Sequence, residues 1–125
     1  MKIKYTPEDP ELLCKFLEGK QPHALMLFHY FIAEFEKIGA ITVHAGKTMT
    51  GITNTRVKIA YVSQLGRDFI HVVFTFRQPH YDNLCFQKIV PWPGDDVRFT
   101  HHFRMLFKED LNDEVCDFMR LAYDS

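Results

Sequence analysis

The spacing of apolar residues changes near residue 40, from helical recurrence before it to alternation with polar residues after it. Asp9-Pro10-Glu11 has the chemistry of a helix start: an N-cap carboxylate, proline at the first helical position and an acid in the first turn. Leu12, Leu13, Phe16 and Leu17 continue at helical spacing, and Gly19 ends the segment. A second helix is expected from Pro22 to Ile38. Its residues Ala24, Leu25, Phe28, Phe31, Ile32, Phe35 and Ile38 make a broad apolar stripe, and Gly39 closes it as a C-terminal cap.

Beyond residue 40, Ala40–Ala45 reads as a short strand entering a Gly46-Lys47-Thr48 turn. Val57, Ile59 and Tyr61 alternate with Arg56 and Lys58 in a second strand. After the Gly66-Arg67-Asp68 turn comes Phe69–Arg77, rich in β-branched and aromatic residues, which Gln78-Pro79-His80 breaks. Leu84–Val90 and Val97–Met105 are two further strands joined through residues 91–96, where Pro93-Gly94 suits a type II turn. A last helix starts near Asp110 or Asn112 and buries Leu111, Val115, Phe118, Met119 and Ala122. The expected class is α+β, as one domain over residues 1–125. Two N-terminal helices, an antiparallel meander of about five strands and a C-terminal helix follow in order, with all helices packed on one face of the sheet.

Composition narrows the class of protein. Twelve Phe and five Tyr among 125 residues supply a core without disulfide staples. Cys14, Cys85 and Cys116 are odd in number and lack Cys-x-x-Cys spacing, which points to a reducing, cytoplasmic compartment. No apolar run follows the charged N-terminal residues, so no signal peptide is expected. Ala24–Phe35 is too short, and too interrupted by His29 and Glu34, to span a bilayer; no membrane partner is expected. A formal net charge of −1 argues against a surface built wholly for nucleic acid. Residues 40–104 nevertheless hold eight Lys/Arg against four Asp/Glu, while residues 105–125 hold two against six.

No motif commits the chain to a reaction, and whether it is an enzyme stays open. Gly46-Lys47-Thr48 ends like a phosphate-binding loop, but Ile41 stands where that loop needs glycine, and strand signals follow instead of a helix. The seven histidines keep metal binding under consideration, with His80, Asp82 and Cys85 together in one loop. Their spacing matches no ligand motif, however, and no cofactor is expected. His101 and His102, adjacent on a strand, should point to opposite faces. A Cys–His nucleophile pair would meet only in space. Trp92, between two prolines, is either an exposed binding aromatic or a lid packed on the sheet edge.

The helix ending in Ile38-Gly39, then Gly46-Lys47-Thr48, an alternating strand, a Phe/Val-rich strand and the ending Leu111…Leu121-Ala122-Tyr123 resemble the small bacterial "domain of unknown function 5655". The resemblance covers residues 22–124. It implies the architecture and carries no established activity onto any residue.

The outward positions of the strands hold the most informative pattern. With Ile70, Val72, Phe74 and Phe76 facing the core, His71, Thr75 and Arg77 face away; with Val97, Phe99 and Phe103 inward, Arg98, Thr100, His102 and Arg104 face away. Arg56 and Lys58 join them, and Lys47 is a further cation that could contact an anion from its turn. Such a face is either a solvated side, which any one-sided sheet has, or a basic site. The expected function is a small non-catalytic binding or accessory domain; the alternative is an enzyme or metal-dependent protein of unknown reaction. An anionic small molecule or an acidic protein segment is the expected partner. Nucleic acid fits less well, because the face lacks the paired exposed aromatics on which single-stranded bases stack.

Overall fold

The computed structural model describes residues 6–7, 9–95 and 97–124; most of the N-terminal segment read for a leader, and Asp96 of the expected 91–96 turn, lie outside them. Asp9 caps α1 (Pro10–Leu17), its carboxylate accepting from the backbone N–H of Glu11 and Leu12. Helix α2 (Pro22–Ile38) follows, and it contributes Phe28, Phe31 and Phe35, all fully buried, to the centre of the core. The Phe31, Phe35 and Phe74 rings meet there with centroids 5.6–6.5 Å apart. Of the two expected starts for the last helix, Asn112 is the cap: its side chain accepts from Val115 N–H at the head of α3 (Asp113–Tyr123). Asp110 instead accepts from the N–H groups of Leu106 and Phe107, fixing the turn before it.

Seven strands form one sheet: β1 (Thr6–Pro7), β2 (Thr42–Ala45), β3 (Thr50–Thr53), β4 (Lys58–Leu65), β5 (Ile70–Phe76), β6 (Lys88–Pro91) and β7 (Phe99–Met105). The two residues of β1 pair in parallel with β2; the other six strands are antiparallel, in the order β2-β3-β4-β5-β7-β6. The class is α+β, with all three helices against one face, where Ile52, Val62, Val72, Phe74 and Phe103 join the helical stripes in one buried cluster.

Two details differ from a plain meander. Strand β7 inserts between β5 and β6, giving the long apolar strand a neighbour on each side. The four-residue β6, ending in Pro91, occupies the edge, where a missing N–H and a short strand are tolerated. The expected Leu84–Val90 strand therefore shrinks to Lys88–Pro91. Its first residues form a loop in which Asn83 accepts from Phe86 N–H, and Phe86 packs on Phe74, His101 and Phe118. Two strands were unforeseen: the two-residue β1, and β3, whose Thr-Gly-Ile-Thr sequence carries too little apolar alternation to announce itself.

Gly39 is not a left-handed cap: its φ is 176°, extended backbone. A Cβ there would stand 2.3 Å from the Tyr123 ring, so glycine permits a close approach between the end of α2 and the end of α3. Among the described residues, no helix is long and apolar enough to cross a membrane.

Candidate functional site

The sheet face turned away from the helices is built by irregular strand pairing as much as by alternation. In β4 the register with β3 shifts so that Ile52 faces Ala60 while Thr53 faces Lys58. One extra residue is absorbed, and Ile59 and Ala60 both join the core. Alternation alone had put Ile59 and Tyr61 on one side; the bulge sends Tyr61 out with Lys58 instead. Lys58 then lies across Gly51, where a Cβ would come within 3.0 Å of its side chain. A second shift, between Val62 and Gln64, keeps Leu65 in the core.

Across this outer face, Tyr61, Val73, His102 and Lys88 are successive cross-strand neighbours, and Thr75, Thr100 and Val90 form the next row. Neighbours in a row are about 5 Å apart and rows about 7 Å apart. Val73 is only 1% and Thr100 only 7% exposed, so the face has a covered floor and raised walls. Two depressions share Tyr61 and Trp92. One, of about 270 Å³, adds Lys58, Thr75, Arg77 and Arg98. The other, of about 380 Å³, adds Lys88, Val90, Thr100, His102 and the prolines beside Trp92. The Arg98 guanidinium lies 5.2 Å from the Trp92 ring centre, with its Nε donating to Asp95 at 2.7 Å. Among the described residues, no ion pair engages Lys58, Arg77, Lys88 or Arg104.

A chain of hydrogen bonds runs under the second depression. The Thr100 hydroxyl donates to the Val90 carbonyl at 3.0 Å, so its oxygen accepts from His102 Nε2, 3.1 Å away. Neutral His102 then accepts at Nδ1 from His71 Nε2, at 2.9 Å. Burial, with the neighbouring His71, Lys88 and His101, pushes His102 down to about 4. His71 is also lowered, first by burial and then by Arg104 and Lys88. Both rings are neutral near pH 7, and the positive charge of the face comes from Lys and Arg alone.

Of the eight residues singled out in the sequence, Lys58, Arg77, Arg98 and His102 line the paired depressions. His71 stands behind His102, and Arg104 lies one row away with its guanidinium 4.4 Å from the Phe69 ring centre. Two are misplaced. Arg56 sits in the β3–β4 turn with its backbone N–H on Asn54, and its guanidinium reaches the Asp124 carbonyl at the C-terminal end of α3, where a cation suits the helix dipole. Lys47 projects from the β2–β3 hairpin, closed by Gly46 N–H to Met49 carbonyl, at the opposite end of the strands from Arg77. Tyr61 and Lys88 were missed, and Trp92, weighed from the sequence as a binding aromatic or a lid, is half-buried beside them. Tyr61 and Trp92 wall both depressions.

His101 points the other way, fully buried, donating from Nδ1 to the Phe99 carbonyl and accepting the His80 N–H at Nε2. It ties the loop after β5 to the sheet, and burial lowers it to about 4. Cys85, beside Glu114, is pushed up to about 12 by burial and that carboxylate, which denies it thiolate character. Among the described residues, no three His, Cys, Asp or Glu side chains converge to hold a metal ion; His80 packs its ring between Phe76, His101 and Phe118.

Comparison with family models, with curated proteins and with solved structures finds no match to this chain.

Proposed function

We propose that this chain is a non-catalytic binding or accessory domain that takes an anionic ligand on the outer sheet face. The observation that carries it is the tri-cationic depression of Lys58, Arg77 and Arg98, set over a covered sheet floor and walled by Tyr61 and Trp92. Guanidinium groups grip carboxylate or phosphate through paired N–H donors, and lysine adds a compact charge. The acidic α3 packs on the opposite side of the sheet, so the anion meets cations without a competing acidic helix beside it. Three free cysteines fit a reducing cytoplasmic setting.

Calorimetric titration with pyrophosphate at low and moderate salt tests the site. Replacing Lys58 and Arg77 together by Ala should weaken binding about tenfold or more, since each charge-assisted contact contributes about 1.5–3 kcal/mol. The melting temperature should barely move, because exposed charges contribute about 0–1 kcal/mol to folding. Unchanged pyrophosphate affinity in the double variant, or no affinity in the parent, rejects the reading.

A further inference from the structure

We infer that the ligand of this face is a planar ring carrying a phosphate, of the nucleoside monophosphate type, with the ring over Trp92 and Tyr61 and the phosphate on Lys58, Arg77 and Arg98. The inference rests on the anion-binding reading above and adds the ligand's other half. The two depressions are chemically unlike. One has three cations beside Val57 and Phe76, whereas the other has Lys88 as its single cation, with Val90, two prolines, Thr100 and His102. A purely inorganic anion would use the first and leave the second empty. A molecule with an apolar ring and a charged end fills both.

Tyr61 and Trp92 are common to the two depressions, so the ring and the charge share the same walls. Aromatic walls of this kind stack planar rings, and each stacked base adds about 1–3 kcal/mol. Polar edges have partners too. The Lys88 ammonium is a donor, and the Thr100 oxygen, its hydrogen given to the Val90 carbonyl and one lone pair to His102, keeps one lone pair on the same floor. The Asp95 carboxylate, held by Arg98 and the Val97 N–H, is an acid beside the phosphate position. It leaves the remaining Arg98 donors for the ligand.

Trp92 is the single tryptophan of the chain, so its fluorescence reports ring stacking directly. The full chain is titrated with AMP, adenosine, inorganic phosphate and an eight-residue single-stranded DNA. AMP should quench Trp92 emission and bind about tenfold or more tighter than either adenosine or phosphate, as the stacking contribution requires. Replacing Trp92 by Leu, and separately Tyr61 by Leu, should weaken AMP, followed by calorimetry, by a larger factor than it weakens phosphate, and an equal loss of both would overturn the ring seat; the melting temperature shows separately that each variant folds. The Lys58/Arg77 double variant should lose both ligands. If AMP binds no tighter than phosphate, the ring has no seat and this inference falls, although the anion site stands. If neither binds, both readings fall together. An oligonucleotide that binds no tighter than AMP supports the free nucleotide. One that binds about a hundredfold tighter overturns it in favour of a single-stranded polymer, where cations along the strand add up.

Discussion

At the scale of single residues, the two adjacent histidines of β7 show how direction decides chemistry. His102 faces the depression and His101 the core, yet both are held neutral by burial near pH 7. For His101 the consequence is a pH-dependent stability. Its folded value of about 4 lies below the ordinary 6.5, so the unfolded chain takes up the proton first. The stabilisation is complete above about pH 6.5 and is lost as pH falls from there toward 4, by about 2–3 kcal/mol for a gap of this size. His101→Gln keeps one donor for Phe99 and one acceptor for His80 but cannot titrate. Urea denaturation at pH 7.5 and 4.5 should show a smaller fall in stability for the variant than for the parent. An equal fall would mean that His101 is protonated in the folded state as easily as in the unfolded one. The residue scale was also where the sequence was most legible: the opposite directions of His101 and His102, and the outward Arg77, Arg98 and Arg104, follow from alternation along two well-patterned strands. Arg56 escaped it because a turn, not a strand, sets its direction.

At the scale of elements, helix ends and strand irregularities carry the information that periodicity lacks. The caps Asp9 and Asn112 were readable because a short polar side chain before an apolar stripe has few other uses. Gly39 was readable as a helix end but not for its reason, because the Tyr123 ring it admits lies 84 residues further along the chain. Gly39→Ala should drive a methyl group into that ring and cost about 1–3 kcal/mol, as overpacking does. In a Tyr123→Leu background the same change should cost measurably less, and the coupling between the two is the quantity a double-mutant cycle measures. Equal costs in both backgrounds would show that the ring moves aside freely. Strand β4 was legible as a strand, while its two bulges were not, because an extra residue leaves no mark in a strand of eight side chains. Tyr61 was lost from the site for that reason, and Lys88 because the edge strand begins later than its apolar run.

At the scale of the whole molecule, the Phe-rich stripes of α2 and the inner sheet face form one buried cluster, and the helices leave the other face uncovered. Phe31, fully buried between Phe35 and Phe74, is the test of that centre: Phe31→Ala should cost about 3–5 kcal/mol in chemical denaturation. A cost near zero would place the ring outside the packed interior. Class, helix number and the side on which the helices sit were legible from composition and period. The insertion of β7 beside β5 was not, since strand order depends on which partner completes the sheet and not on any strand's own sequence.

The bulges of β4 decide which of its side chains reach the outer face. Where strict alternation rules, turning one side chain from interior to surface inverts every residue after it. Here the extra residue near Ile59 and Ala60 is followed by another near Ser63, and the second restores the phase that the first displaced. The short stretch between them, with Tyr61 at its middle, therefore runs in the opposite phase to the strand on either side. Removing the extra residue at either bulge would leave Tyr61 outward, opposite Val73, because the cross-strand pairing and not the count of residues before it sets its direction.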